Sequence, residues 1–221
     1  MFFDFPKVGG TMQDVLGDPN AIPCLNHLRG YYDGLRRDGA LPHRDQIDPR
    51  ALGGVLENTF LVERIAQGMG RFRLAGMAVQ DALGMEARNM PLTILFEPVA
   101  RTQLTRVLEQ VFTGPTMLDI TLEAERAIGR PHLAGRMILL PLRDAKGAFH
   151  QIIGGFALSG TIGRAPRRFG ITRMRAEEFD LPAAYAPVVA RPLALASKLP
   201  DFAEPLLTPP KGHLRLVHSR P

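Results

Sequence analysis

From residue 23 to 37 the apolar side chains recur on a helical period: Leu25, Leu28, Tyr32 and Leu35 stand three, four and three residues apart. This spacing predicts a helix from Pro23 to Arg37 with one apolar face, and Asp38-Gly39 ends it with a glycine suited to the left-handed cap. A short turn or helix containing Met12, Val15 and Leu16 precedes it, broken by Gly17-Asp18-Pro19. A second short helix opens at Asp48-Pro49-Arg50-Ala51-Leu52 and runs to about Leu56. Asp48 suits the N-cap, and Pro49 the first helical position, where a missing N–H costs nothing.

Two strands are expected next, Asn58 to Ile65 and Arg71 to Gly76, joined by a loop with two glycines, Gly68 and Gly70. In the second strand Phe72 and Leu74 face one side, and Arg71 and Arg73 the other. Short helical turns follow to Phe96. The longest helix then starts at Glu97-Pro98, places Leu104, Val107, Leu108, Val111 and Phe112 on one face, and stops at Gly114-Pro115. Three strands close the series. Thr116 to Glu125 alternates Leu118, Ile120, Leu122 and Ala124 with more polar positions, so that one face is buried. Leu133 to Leu142 is apolar on both faces, which requires a cover on its outer side, and the first helix is the obvious one. Phe149 to Leu158 follows a polar turn over residues 143–147, and Ser159 reads as the terminator of that strand.

Composition alters this picture at one end only. Residues 1–160 hold 17 Lys+Arg and 17 Asp+Glu, so the whole net charge of +5 belongs to residues 161–221, which also hold 9 of the 19 prolines. An irregular basic tail is expected there. The chain therefore divides into an N-terminal helical cap (1–40), an α+β core (41–160) with a five-stranded antiparallel sheet and a helical crossing, and the tail (161–221). The apolar runs are strand-sized, so no membrane span is expected. The N-terminus lacks a basic region followed by an apolar core, and a cytoplasmic protein is expected.

The local sequence is more specific. Leu28-Arg29-Gly30-Tyr31-Tyr32, Leu41-Pro42-His43-Arg44-Asp45-Gln46-Ile47-Asp48-Pro49, Phe60-Leu61-Val62-Glu63, Phe72-Arg73-Leu74-Ala75-Gly76, Leu139-Leu140-Pro141-Leu142 and Ile152-Ile153-Gly154-Gly155 together resemble small bacterial single-domain proteins of the PAS family. The resemblance covers roughly residues 22–160. It implies a PAS fold and a sensory or regulatory role in signal transduction, exercised through a ligand or a protein contact. One departure stands out: Asn89 occupies a place where that family tends to show a second glycine after Gly84.

The chemistry of known PAS cofactors is largely missing. Residues 77–113 contain no cysteine, which rules out a covalent flavin adduct. None of the six histidines, His27, His43, His132, His150, His213 and His218, falls on the long helix, so haem in its usual place is not expected. The cofactor stays unassigned. The single cysteine, Cys24, excludes an internal disulfide and reads as a small apolar helix residue; no histidine pair or carboxylate repeat has metal-ligand spacing. Leu158-Ser159-Gly160 lacks the geometry of a nucleophile elbow, and Gly154-Gly155 reads as close packing rather than a phosphate loop.

The expected ligand site is the apolar space between sheet and long helix, lined by Phe72, Leu74, Leu122, Met137, Leu139 and Ile153, with Arg73 as its polar group, free for an acidic ligand or paired with Asp119 or Glu123. Partner contacts are expected at Leu28, Tyr31 and Tyr32, as a homodimer seam, and at Arg167, Arg168, Arg173 and Arg175, on an arginine run facing a signalling protein. A regulatory module without catalysis is the leading reading. The alternatives are a nucleotide or nucleic-acid adaptor acting through the arginines, which few stacking aromatics support, and an enzyme on a related α+β fold.

Overall fold

The chain's computed structural model describes residues 2–3, 21–37, 39–144 and 148–180. The expected turn at Met12, Val15 and Leu16, residue Asp38, the turn residues 145–147, and His213 and His218 in the far tail lie outside them. Helix α1 spans Ala21–Leu35. Asp48 accepts a hydrogen bond from the Arg50 backbone N–H at 2.9 Å, so the expected cap is in place on the short helix α2 (Pro49–Leu52), which runs into a 3-10 turn at Gly53–Asn58. Strands β2 (Thr59–Ala66) and β3 (Met69–Ala75) form a hairpin. Helix α3 (Met77–Leu83), a 3-10 turn (Leu92–Leu95) and the long helix α4 (Pro98–Thr113) make the crossing. Strands β4 (Thr116–Ala124), β5 (Leu133–Leu142) and β6 (Gln151–Gly160) follow, with Ser159 inside β6 rather than ending it.

Two strands lie outside the expected five. Phe169–Glu178 forms β7, which pairs antiparallel along β4, and Phe2–Phe3, here β1, pairs with β7 at Arg175 and Met174. The sheet order is β1-β7-β4-β5-β6-β2-β3, antiparallel throughout. The start of the expected irregular tail is therefore sheet. Phe169, Ile171, Met174 and Ala176 turn toward the core while arginines 173 and 175 stay exposed. A register shift opposite Thr121 and Leu122 breaks that alternation in the middle, which is why no period of two shows in the sequence.

The sheet carries helices on both faces. On the inner face Leu104, Leu108, Val111 and Phe112 of α4 pack with Phe60, Phe72, Leu118, Ile120 and Phe156 in one buried cluster. Phe60 and Phe72 meet edge to face at 5.5 Å, and Phe156 and Phe169, from strands three places apart, do so at 5.4 Å across the concave side. On the outer face Leu25, Leu28 and Tyr32 of α1 cover Ile138, Leu140 and Leu142, as the two-sided apolarity of β5 requires. Gly154 and Gly155 serve one face each. A Cβ on Gly154 would stand 2.2 Å from the Phe60 ring, and one on Gly155 would stand 2.7 Å from Leu25. The departure at Asn89 is conformational, since Asn89 has φ +65°, a left-handed value that asparagine tolerates better than most residues. Its N–H donates to the Phe72 carbonyl at 2.8 Å while the Phe72 N–H donates to the Met90 carbonyl at 2.9 Å, covering part of the β3 edge.

Candidate functional site

The expected ligand residues separate into two groups. Phe72, Leu122, Met137 and Leu139 lie on the inner face, each no more than 1% exposed and packed against α4, so that side chains fill the space they were expected to line. Leu74 and Ile153 are on the other side of the sheet. The correction at Leu74 has a specific cause: Leu61 pairs with Leu74 but Val62 pairs with Phe72, leaving Arg73 as an extra residue in β3. This bulge reverses the alternation, so Phe72 and Ala75 turn inward and Leu74 turns outward, 49% exposed. Ile153 pairs directly with Leu61 and belongs to the outer cluster.

These two residues contribute to a cavity of about 360 Å³ beside the outer face. Leu61, Ile153 and Leu74, neighbours across β2, β6 and β3, supply its sheet side. Ile47, Leu52 and Leu56 come from the segment around α2, and Met77 from the first residue of α3. Leu56, Leu74 and Met77 are 39%, 49% and 57% exposed, which gathers three of the chain's exposed large apolar side chains at one opening. The lining is overwhelmingly aliphatic. Exposed Arg44 and Glu57 stand at its rim, without an ion pair among the described residues. Two further polar residues are already engaged: Gln80 donates to the Ala75 carbonyl at 3.0 Å, and Thr59 to the Val55 carbonyl at 2.8 Å. Sequence reasoning missed Ile47, Leu52, Leu56, Leu61 and Met77. Leu61 left a trace as an apolar residue on the polar side of β2, but Leu56 and Met77 come from separate turns and left none.

Arg73 pairs with Glu63, Nε to Oε2 at 3.1 Å, and not with Asp119 or Glu123. Strand β3 is the far edge of the sheet and β4 lies four places away, so those carboxylates are out of reach. Asp119 instead accepts from Arg136 Nε at 2.9 Å, and this bond, with the carboxylate's charge beside it, holds the Arg136 pKa above its usual value against the opposing effect of burial.

The expected partner residues divide in the same way. Leu28 and Tyr32 are 1% and 0% exposed, enclosed between α1 and the sheet, so they cannot form a seam with a second copy. The Tyr32 hydroxyl donates to the Pro141 carbonyl at 2.7 Å, and burial holds the phenol pKa far above its ordinary value. Tyr31 is half-buried, and its hydroxyl accepts from the Asp48 N–H at 2.8 Å, which ties α1 to the cap of α2. Arg167 is also no contact residue. At 1% exposure its guanidinium donates to the carbonyls of Pro131 at 2.7 Å, Glu125 at 3.1 Å and Ile162. Burial, then the charge of Arg130, lowers its pKa. Arg168, Arg173 and Arg175 are exposed as expected.

Among the described residues no three His, Cys, Asp or Glu side chains come together as a metal site, and no helix is long and apolar enough to cross a membrane. Cys24 is half-buried on α1 and packs against the outer cluster. A search of curated proteins returns no match. Residues 21–157 match the family PAS_5, described as a PAS domain, which spans everything from α1 to near the end of β6 and stops short of β7.

Proposed function

This chain belongs to the PAS domain family, and from that premise we propose that it is a regulatory binding module, without turnover of its own, that takes a small ligand with an apolar body in the groove beside the outer face of its sheet. The observation that carries this reading is the aliphatic cavity of about 360 Å³ with a cation and an anion, Arg44 and Glu57, at its rim. Its volume falls in the range of small-molecule sites, roughly 300–1,000 Å³, and its chemistry, apolar walls with few polar groups, is that of a site that selects shape first. The inner face offers no such opening, because its side chains are packed.

The groove is also well placed to pass on a signal. Leu52 lines it and belongs, with Val55 of the adjoining 3-10 turn, to the cluster that holds Leu25 and Leu28 of α1. A ligand that reorders Leu52 therefore acts on the packing of α1, whose opposite side faces solvent. The test is native mass spectrometry of the chain taken directly from cells, followed by thermal shift with the recovered compound. At a hundredfold excess over Kd a ligand stabilises by about 2.7 kcal/mol, a rise in Tm of roughly 5–10 °C. Leu74→Arg, at an exposed position, should leave the unliganded Tm unchanged and abolish the rise. A full rise in that variant, or robust turnover of the compound, would overturn the reading.

A further inference from the structure

Three separate loops converge on one strap, residues 164–169, at the end of the domain where β4 stops and β7 starts. The Arg164 N–H donates to the Gly129 carbonyl at 2.8 Å. The Arg168 carbonyl accepts from Glu125 N–H at 3.1 Å, and the Phe169 carbonyl from Glu97 N–H at 3.0 Å. Arg167 N–H donates to the Ala82 carbonyl at 2.7 Å, and a Cβ on Gly84 would lie 2.7 Å from that of Ala165. One or two residues from each contact stands a large apolar side chain open to solvent: Ile128 at 99% exposure, Val99, in the first turn of α4, at 73%, and Met85 at 45%. Ile128 is held there by its turn, since Ala127 and Arg130 exchange backbone hydrogen bonds at 3.2 and 2.9 Å around it and Gly129 takes φ +73°.

The charge around Ile128 is cationic. Arg130 and Arg164 line a shallow depression beside Ile128, and Arg126 and Arg168 flank it along the chain. Glu123 and Glu125 are taken up by Arg126 and Arg130 at 3.0 and 3.7 Å, whereas Arg164 and Arg168 have no ion pair among the described residues. Desolvation, then the charge of Glu125, raises the pKa of Glu97, and exposed Glu86 stands next to Met85, so the excess of positive charge is local to Ile128.

We propose that this end of the domain docks on an anionic lipid bilayer, with Ile128 entering the interface and Arg126, Arg130, Arg164 and Arg168 meeting the headgroup phosphates. An apolar tip set among arginines, with two further exposed apolar side chains on neighbouring elements, matches a surface that is charged outside and apolar just beneath. A nucleic acid gives an isoleucine nothing to enter, and no phenylalanine or tyrosine between residues 23 and 180 is exposed for base stacking. An acidic protein would meet the arginines but would need a socket shaped to each tip. Each arginine near such a membrane strengthens binding about fivefold, and burial of Ile128 strengthens it about tenfold.

The test is co-sedimentation of the full chain with vesicles of equal parts phosphatidylcholine and phosphatidylglycerol, and with phosphatidylcholine alone. The expected result is salt-sensitive retention on the mixed vesicles only. Because basic residues also follow position 180, Ile128→Asp is the discriminating variant: it keeps every arginine and should weaken retention at least tenfold at an unchanged Tm. The double variant Arg164→Glu, Arg168→Glu should abolish retention, while Leu74→Arg, in the groove, should bind as the unaltered chain does. Equal retention of Ile128→Asp, no preference for the anionic vesicles, or binding to duplex DNA or polyglutamate in place of vesicles would overturn the proposal.

Discussion

The two faces of the one sheet use similar residues to opposite ends. On the inner face the aromatic rings interlock, and Phe60 lies so close to Gly154 that no side chain fits beneath it. On the outer face α1 covers β5 and β6 but stops short of the end of the β2–β3 hairpin, and half-buried Leu61 and exposed Leu74 open onto the groove. Strands β5 and β6 are apolar on both sides, so composition does not decide which side has room. The reach of the covering helices does. A search for a ligand site in this domain belongs beside the edge hairpin, away from the long helix.

The contrast can be broken by measuring what each face tolerates. Phe156→Ala, which empties the centre of the inner cluster, should cost about 3–5 kcal/mol in urea unfolding; a loss under about 1 kcal/mol would mean that this face is looser than described. Gly154→Ala adds one methyl against the Phe60 ring and should cost about 1–3 kcal/mol, so a neutral result would show that the ring can move aside. Leu74→Ala, the same class of truncation at the groove, should cost no more than about 0.5 kcal/mol, because the side chain is half in water already. A loss comparable to that of Phe156→Ala would close the groove as an explanation.

Local signals were readable wherever the physics is local. The cap at Asp48, the period of α1, the stop after Thr113 and the two-sided apolarity of β5 each identified an element from neighbouring residues alone. Failures came from features that depend on pairing between distant strands. Strand β7 shows a period of two only once the irregularity opposite Thr121 is allowed for, and its arginines read as a solvated run. The partner of Arg73 depends on sheet order, which adjacent residues do not encode. Arg167 and Arg168 are side by side in sequence and opposite in role, because only the fold decides that three carbonyls converge on the first. For the candidate site, the apolar pattern points to two lining residues, Leu74 and Ile153, but places them on the inner side of the sheet, because the bulge at Arg73 leaves no mark in the sequence.

The extra residue at Arg73 makes the groove a matter of chain length rather than of hydrophobicity. Any substitution at Arg73 keeps the count, and Leu74 still emerges on the outer face. Giving Arg73 a partner, through one residue inserted between Leu61 and Val62, would restore the two-residue beat of β3, put Leu74 on the same face as Phe72 and leave the opening without one of its walls. A lineage of such domains can therefore gain or lose the opening through a single-codon insertion or deletion, with its apolar profile hardly changed. Scanning by substitution alone would pass over the position that creates it.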